Sequence, residues 1–371
     1  MNMKETFYRL VLTQLPGIGL MGAHNLIRAA GNATTLFERK KELKNLVPGI
    51  SQRIIRAFDS PEVFRICEAE MNFADKNRIA CLTAEDENFP SRLRECDDAP
   101  LVLFYRGTAD LNKPHIISVV GTRNATEYGK LLCHTFIEEL RDLLPDAIIV
   151  SGLAYGIDIN AHRAALEYGL ESIGVLAHGL DRIYPAVHRK TAIEMTECGG
   201  LLTEYMSGTN PDKANFVRRN RIVAGISDAT IVVESAARGG SLITAGIAES
   251  YHRECFAFPG RIDDIYSKGC NNLIYENRAV LLQKAEDLIK AMGWDAKTAK
   301  PQAIQRQLFP DVSPEEEQII AILGRYPEGQ QINALVVDSN IPITRMTGIL
   351  FELEMKGIVR MQAGGVYKLI G

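Results

Sequence analysis

The chain has no excess of positive charge: 42 Lys and Arg stand against 46 Asp and Glu, a formal net charge of -4. A polyanion therefore cannot be held by bulk charge, and any nucleic-acid contact must come from a local patch. There is no Cys-x-x-Cys; the cysteines (Cys67, Cys81, Cys96, Cys133, Cys198, Cys255, Cys270) are scattered and odd in number. That argues against a zinc site and fits a reducing, cytoplasmic compartment. Apolar runs are broken by charge or glycine well short of the roughly 20 residues of a bilayer span, so no membrane insertion is expected. The start, Met-Asn-Met-Lys-Glu-Thr, leads into no uninterrupted apolar segment, which argues against a signal peptide. Catalytic signatures are missing too: no His-Glu-x-x-His, no Gly-x-Ser-x-Gly and no Walker lysine, and the turn after Ile116–Val120 lacks Gly-x-Gly-x-x-Gly. No catalytic residue, metal or cofactor is expected.

What is present is a concentrated basic stretch, Lys213-Ala-Asn-Phe-Val-Arg-Arg-Asn-Arg-Ile-Val-Ala-Gly225, with Lys213, Arg218, Arg219 and Arg221 and no acid. It lies among short, β-branched runs apolar on both faces, each followed by a turn and a helical pattern. These are Ile116–Val120, Ala147–Val150, Ser172–Leu176, Ala229–Val233, Cys255–Phe258 and Ala279–Leu282. The alternation predicts an α/β fold, an extended Rossmann-like, doubly wound parallel sheet whose ligands gather beyond the carboxyl ends of the strands.

The 371 residues suggest more than one domain. Residues 1–60 read as a helical, helix-hairpin-helix-like (SAM-like) domain built on Leu15-Pro-Gly-Ile-Gly19, with a poorer echo at Val47-Pro-Gly-Ile50. Two readings stay open: turns that offer backbone N–H groups to a DNA phosphate, or a small docking module. Residues 61–114 read as a connecting extension packed on the core, 115–292 as the Rossmann-like domain that would hold a phosphate-bearing ligand, nucleotide or polynucleotide, and 293–313 as a linker. Residues 314–371 follow the helix, helix, helix, wing order of a winged-helix-like domain. Its acidic balance favours a protein contact over DNA.

Several strand-end turns are suited to an anion. Gly121-Thr-Arg123 follows one strand, and Ser151-Gly152 follows the next. Gly240-Ser241 opens a helix in which Thr244 adds a hydroxyl, and Asn220 and Asn271 supply neutral amides. Asp158 is expected to cap its own helix, and His162 to pack or cap. Tyr184 is a candidate for base stacking if it borders the phosphate groove. Glu234 is the one carboxylate placed for acid/base work or for orienting arginines.

Together these motifs resemble the DprA/Smf family of bacterial DNA-processing proteins. The resemblance is carried by Gly121-Thr-Arg123, Ser151-Gly-Leu-Ala-x-Gly-Ile-Asp158, Ala161-His162, Gly179-Leu-Asp181, Tyr184-Pro185, Gly200-Leu-Leu-x-Glu204 and Asn215-Phe216 with Arg219-Asn-Arg-Ile-x-Ala-Gly225. Val232-Val-Glu234, Gly240-Ser-Leu-Ile-Thr244, Pro259-Gly260 and Gly269-x-Asn271-x-Leu-Ile274 complete it, across roughly residues 85–290. It implies a non-enzymatic protein that binds and protects single-stranded DNA, forms a homodimer and loads the RecA recombinase during natural transformation. It also implies phosphate contacts from Arg123 and Arg219–Arg221, with backbone from Ser151-Gly152 and Gly240-Ser241. In two places the chain departs from the family pattern: Tyr155 stands where that pattern has arginine, and Ala186 follows the Tyr-Pro pair.

Overall fold

The computed structural model describes residues 3–47, 50–294, 312–362 and 364–370. Its centre is a nine-stranded sheet in the spatial order β1-β2-β6-β5-β4-β3-β7-β8-β9. In chain order these are β1 (Ala80–Leu82), β2 (Leu103–Gly107), β3 (Ile116–Val120), β4 (Ile148–Ser151) and β5 (Glu171–Val175). They continue with β6 (Gly199–Thr203), β7 (Ala229–Val232), β8 (Glu254–Ala257) and β9 (Val280–Leu281). Across the sheet from β6 to β9 the strands run parallel, and the chain winds outward in both directions from β3. The order reverses between β3 and β7, so the crevice expected at a switch point opens beyond their carboxyl ends.

Both faces of the parallel strands are buried, and the period-2 alternation assigns each side chain to a layer. Ile117, Val119 and Ile149 pack against Phe136, Ile137 and Leu140 of the Glu127–Leu143 helix. Ile116, Val120, Ile148 and Val150 pack on the opposite face, against Ile222 and Val223 of the Lys213–Ile226 helix.

The sheet is not purely parallel. Strands β1 and β2, from the segment read as a connecting extension, add an antiparallel edge next to β6. They carry no βα alternation, so pattern alone did not reveal them. They belong here because β2 buries Leu103, Phe104 and Tyr105 on the flank of the sheet. The β6 strand was missed because Gly199 and Gly200 interrupt its apolar run.

The N-terminal region is helical. Met3–Gln14 and Leu20–Ala30 flank the Leu15–Gly19 turn, and Pro61–Lys76 closes the bundle. Pro48 and Gly49, the centre of the weaker echo, lie outside the described residues. The buried Glu5 carboxylate caps the Ala33–Glu38 helix by accepting from Ala33 N and Thr34 N, each at 2.8 Å. Leu10, Leu36, Phe37 and Phe58 form one apolar cluster that also takes in Phe104 of β2 and Met206.

Residues 295–311, most of the expected linker, lie outside the described residues. Beyond them, helices Pro314–Leu323, Ile332–Ser339 and Ile343–Met355 pack with a three-stranded sheet. Its hairpin pairs Val359–Gln362 with Val366–Leu369 around a turn whose Ala363 is not described. The winged-helix order is as expected, with one addition: a short strand at Gln330–Gln331. Ser313 and Glu316 form a capping box at the first of these helices, with Pro314 in its first turn. Among the described residues no helix is long and apolar enough to cross a membrane.

Candidate nucleic-acid interface

The loops beyond β3, β4 and β7 are laced together by their backbones. Thr122 N donates to Glu234 O at 2.7 Å, and Ile157 N donates to Thr122 O at 3.1 Å. Gly156 sits where two loops cross: its φ is 77°, and a Cβ there would lie 2.6 Å from the carbonyl carbon of Arg123. Only glycine tolerates both conditions.

The β4 loop is pinned from below by two buried histidines. Leu153 has a left-handed φ of 54°, uncommon for a branched side chain. Its N–H donates to His162 Nε2 at 3.3 Å, and its carbonyl accepts from His188 Nδ1 at 2.9 Å. His162 Nε2 is thus the acceptor, which leaves the proton on Nδ1, 2.7 Å from the Ser172 hydroxyl. Burial, reinforced by the nearby Arg219 charge, pushes the His162 pKa down to about 3, so the ring is neutral. Asp158, expected to cap its own helix, instead accepts from the preceding loop, from Gly152 N at 3.2 Å and Ala154 N at 3.4 Å. Burial raises its pKa, against the opposing pull of Arg219.

The basic helix divides its cations between two sides. Arg219, Ile222, Val223 and Ile226 share its buried stripe. Arg219, expected to contact phosphate, is instead turned inward and is 3% exposed. Its guanidinium lies directly over Gly152, where a Cβ would come within 2.6 Å of Cζ. Nη1 donates to Gly152 O at 2.6 Å and also to Val175 O, while the buried Nε has no partner. Burial lowers the Arg219 pKa to about 10, which still leaves it cationic at neutral pH. Arg221 is likewise engaged, donating to Glu204 and facing Asp98 at 3.9 Å. Burial raises the Glu204 pKa, and Arg221 pulls it back down.

Arg123, Lys213 and Arg218 are exposed, and none has an ion-pair partner among the described residues. Arg123 lies over the Phe216 ring, 5.2 Å from its centroid, and Arg219 approaches the same ring at 5.9 Å. Tyr184 is 46% exposed and packs its ring 5.9 Å from Phe216. Phe216 is therefore the centre of the aromatic and cationic cluster. It was not among the expected contact residues, although the Asn215-Phe216 motif and its position inside the basic stretch were the available signal.

The remaining expected residues divide in the same way. Gly121 and Asn220 are half-buried, and Gly240 is exposed at an N-terminus without a side-chain cap. Ser151 is fully buried and donates to Val119 O at 2.6 Å. Ser241 donates to Ser235 Oγ at 2.9 Å, and Thr244 is buried. Asn271 spends both ends of its amide on the backbone of Gly260. Glu234 is 2% exposed and accepts from Thr126 N at 2.9 Å and from the Thr126 hydroxyl. It holds the start of the Glu127–Leu143 helix.

Fold and site together define a Rossmann-like α/β protein whose strand ends present a cationic, aromatic cluster, with additional helical and winged-helix modules. Residues 80–293 match the family DNA recombination-mediator protein A, and residues 298–365 match the DprA winged helix domain. The chain belongs to the DNA recombination-mediator protein A family. It is 33% identical to Protein Smf of Escherichia coli over 81% of this chain and 80% of that one. It is 41% identical to the DNA processing protein DprA of Streptococcus pneumoniae, over 61% of this chain and 78% of that one. The solved structure of S. pneumoniae DprA superposes with a TM-score of 0.67 at 31% identity, covering 77% of this chain and 97% of that one. The structure of Helicobacter pylori DNA processing protein A, described for its single-stranded DNA binding mode, superposes with a TM-score of 0.53 at 31% identity. It covers 59% of this chain and 97% of that one.

Proposed function

We propose that this protein binds single-stranded DNA across the carboxyl ends of β3, β4 and β5, without chemistry, as a recombination mediator. The carrying observation is the exposed, unpaired Arg123 over the Phe216 ring, beside Tyr184, with Lys213 and Arg218 exposed and unpaired on the helix that carries Phe216. Cations held beside ring faces are what sequence-independent single-strand binders use: phosphates meet charge and bases stack. The free N-terminus at Gly240 adds backbone donors. Arg219 and Arg221 act beneath this surface as positioning residues. The commitment of Glu234 to the Thr126 cap fits a binding role better than an acid/base one.

The family membership and the single-stranded DNA binding of the H. pylori relative support this reading. We extend it to protection of incoming DNA, RecA loading during natural transformation, a homodimeric state and a cytoplasmic location.

The test is fluorescence anisotropy with labelled oligo-dT and its duplex over a salt series, for wild type and Arg123→Ala/Lys213→Ala. Preference for the single strand is expected. The double variant should weaken binding and flatten the log–log salt slope by about 0.7 for each phosphate it no longer neutralises. An unchanged slope in the variant refutes the assignment.

A further inference from the structure

We propose that Tyr155 is a second base-stacking platform, which extends the strand past Arg123 toward Arg189; this rests on the single-stranded DNA reading above. Tyr155 is 47% exposed, a large ring left in water on a loop that is otherwise tightly fixed. Its edge is set by His188, whose ring centroid is 5.1 Å away at an interplanar angle of 70°. His188 is itself buried and anchored to the Leu153 carbonyl at 2.9 Å. One residue on, Gly156 abuts the backbone of Arg123. The ring is thus held in place rather than swinging on a mobile loop, and little ordering cost would accompany stacking.

Its surroundings suit a nucleotide. The Arg123 backbone abuts the neighbouring Gly156. His188, which holds the ring edge, is flanked in the chain by Val187, 66% exposed, and by Arg189, which is exposed and without an ion-pair partner among the described residues. The Tyr184–Phe216 pair belongs to the segment after β5 and the basic helix. Tyr155 offers an independent ring on the β4 side. A tyrosine here recognises a base face where an arginine would recognise a phosphate, so it adds affinity without adding salt dependence.

The experiment compares Tyr155→Ala, Tyr155→Phe, Tyr155→Leu and Tyr155→Arg with wild type in oligo-dT anisotropy over a salt series. Thermal melts of each full-length variant confirm folding. Stacking predicts that Tyr155→Phe binds as wild type, while Tyr155→Ala and Tyr155→Leu lose about 5-fold or more in affinity at an unchanged salt slope. Tyr155→Arg should steepen the slope. In Tyr155→Trp, emission of the new indole should be quenched on adding oligo-dT. Wild-type affinity in Tyr155→Ala, or no quenching of the new indole, overturns the proposal while leaving the Arg123 and Lys213 reading intact. Absence of any oligo-dT binding by wild type overturns both.

Discussion

Acid should destabilise the central domain through His162, and the size of the effect follows from its surroundings. The folded ring is neutral with a pKa of about 3, because burial and the Arg219 charge disfavour the cation. In the unfolded chain an ordinary histidine titrates near 6.5. The unfolded state therefore binds more protons between these values, and stability must fall as pH falls through 6.5 toward 3. Linkage gives a loss of about 2 kcal/mol between pH 7 and pH 5 from this one group. The variant His162→Gln keeps an acceptor for Leu153 N–H and removes the titration. The single tryptophan, Trp294, packs in the central core against His115 and reports unfolding of this domain. Urea titrations followed by its emission at pH 7 and pH 5 should show wild type losing about 2 kcal/mol more than His162→Gln. Asp158 is present in both proteins and Arg219 stays cationic throughout this range, so neither contributes to the difference. Equal pH dependence in the two would refute the view that His162 is buried and neutral beneath the loop.

Two further outcomes test the local geometry. Gly156→Ala places a methyl group against the Arg123 backbone at a φ of 77°. It should cost about 1–3 kcal/mol or more and shift Arg123, which a urea titration paired with an oligo-dT salt series would detect. Arg221→Ala strands the Glu204 carboxylate, and a loss of about 3–5 kcal/mol is expected by thermal or urea denaturation. Arg221→Leu/Glu204→Leu should recover most of that loss. An unchanged oligo-dT salt slope in folded Arg221→Leu/Glu204→Leu would show that Arg221 acts on the fold rather than on a phosphate.

Apart from the glycine-led β6, the parallel strands and the turns after them could be read in the chain itself. Each β-branched run, buried on both faces, demands helices on both sides, and the two-residue period leaves few other arrangements. The winged-helix order was equally legible, because Ser313-Pro314-x-Glu316 marks a helix start chemically. The antiparallel strands β1 and β2 were not, since a strand is recruited to an edge by its neighbours rather than by its own pattern.

The basic stretch shows the same division within one helix. Its composition announced a cationic surface. The spacing of Arg219 from Ile222, Val223 and Ile226 already carried the sign that this arginine faces inward. Which carbonyls it would meet, and that Phe216 would gather Arg123, Arg219 and Tyr184 around its ring, depended on segments from distant parts of the chain arriving at one sheet edge. Local sequence thus determined the elements, the turns and the store of charge. Only tertiary packing decided which charges were spent on holding the loops and which were left exposed to solvent, because burial and pairing belong to a residue's neighbours in space.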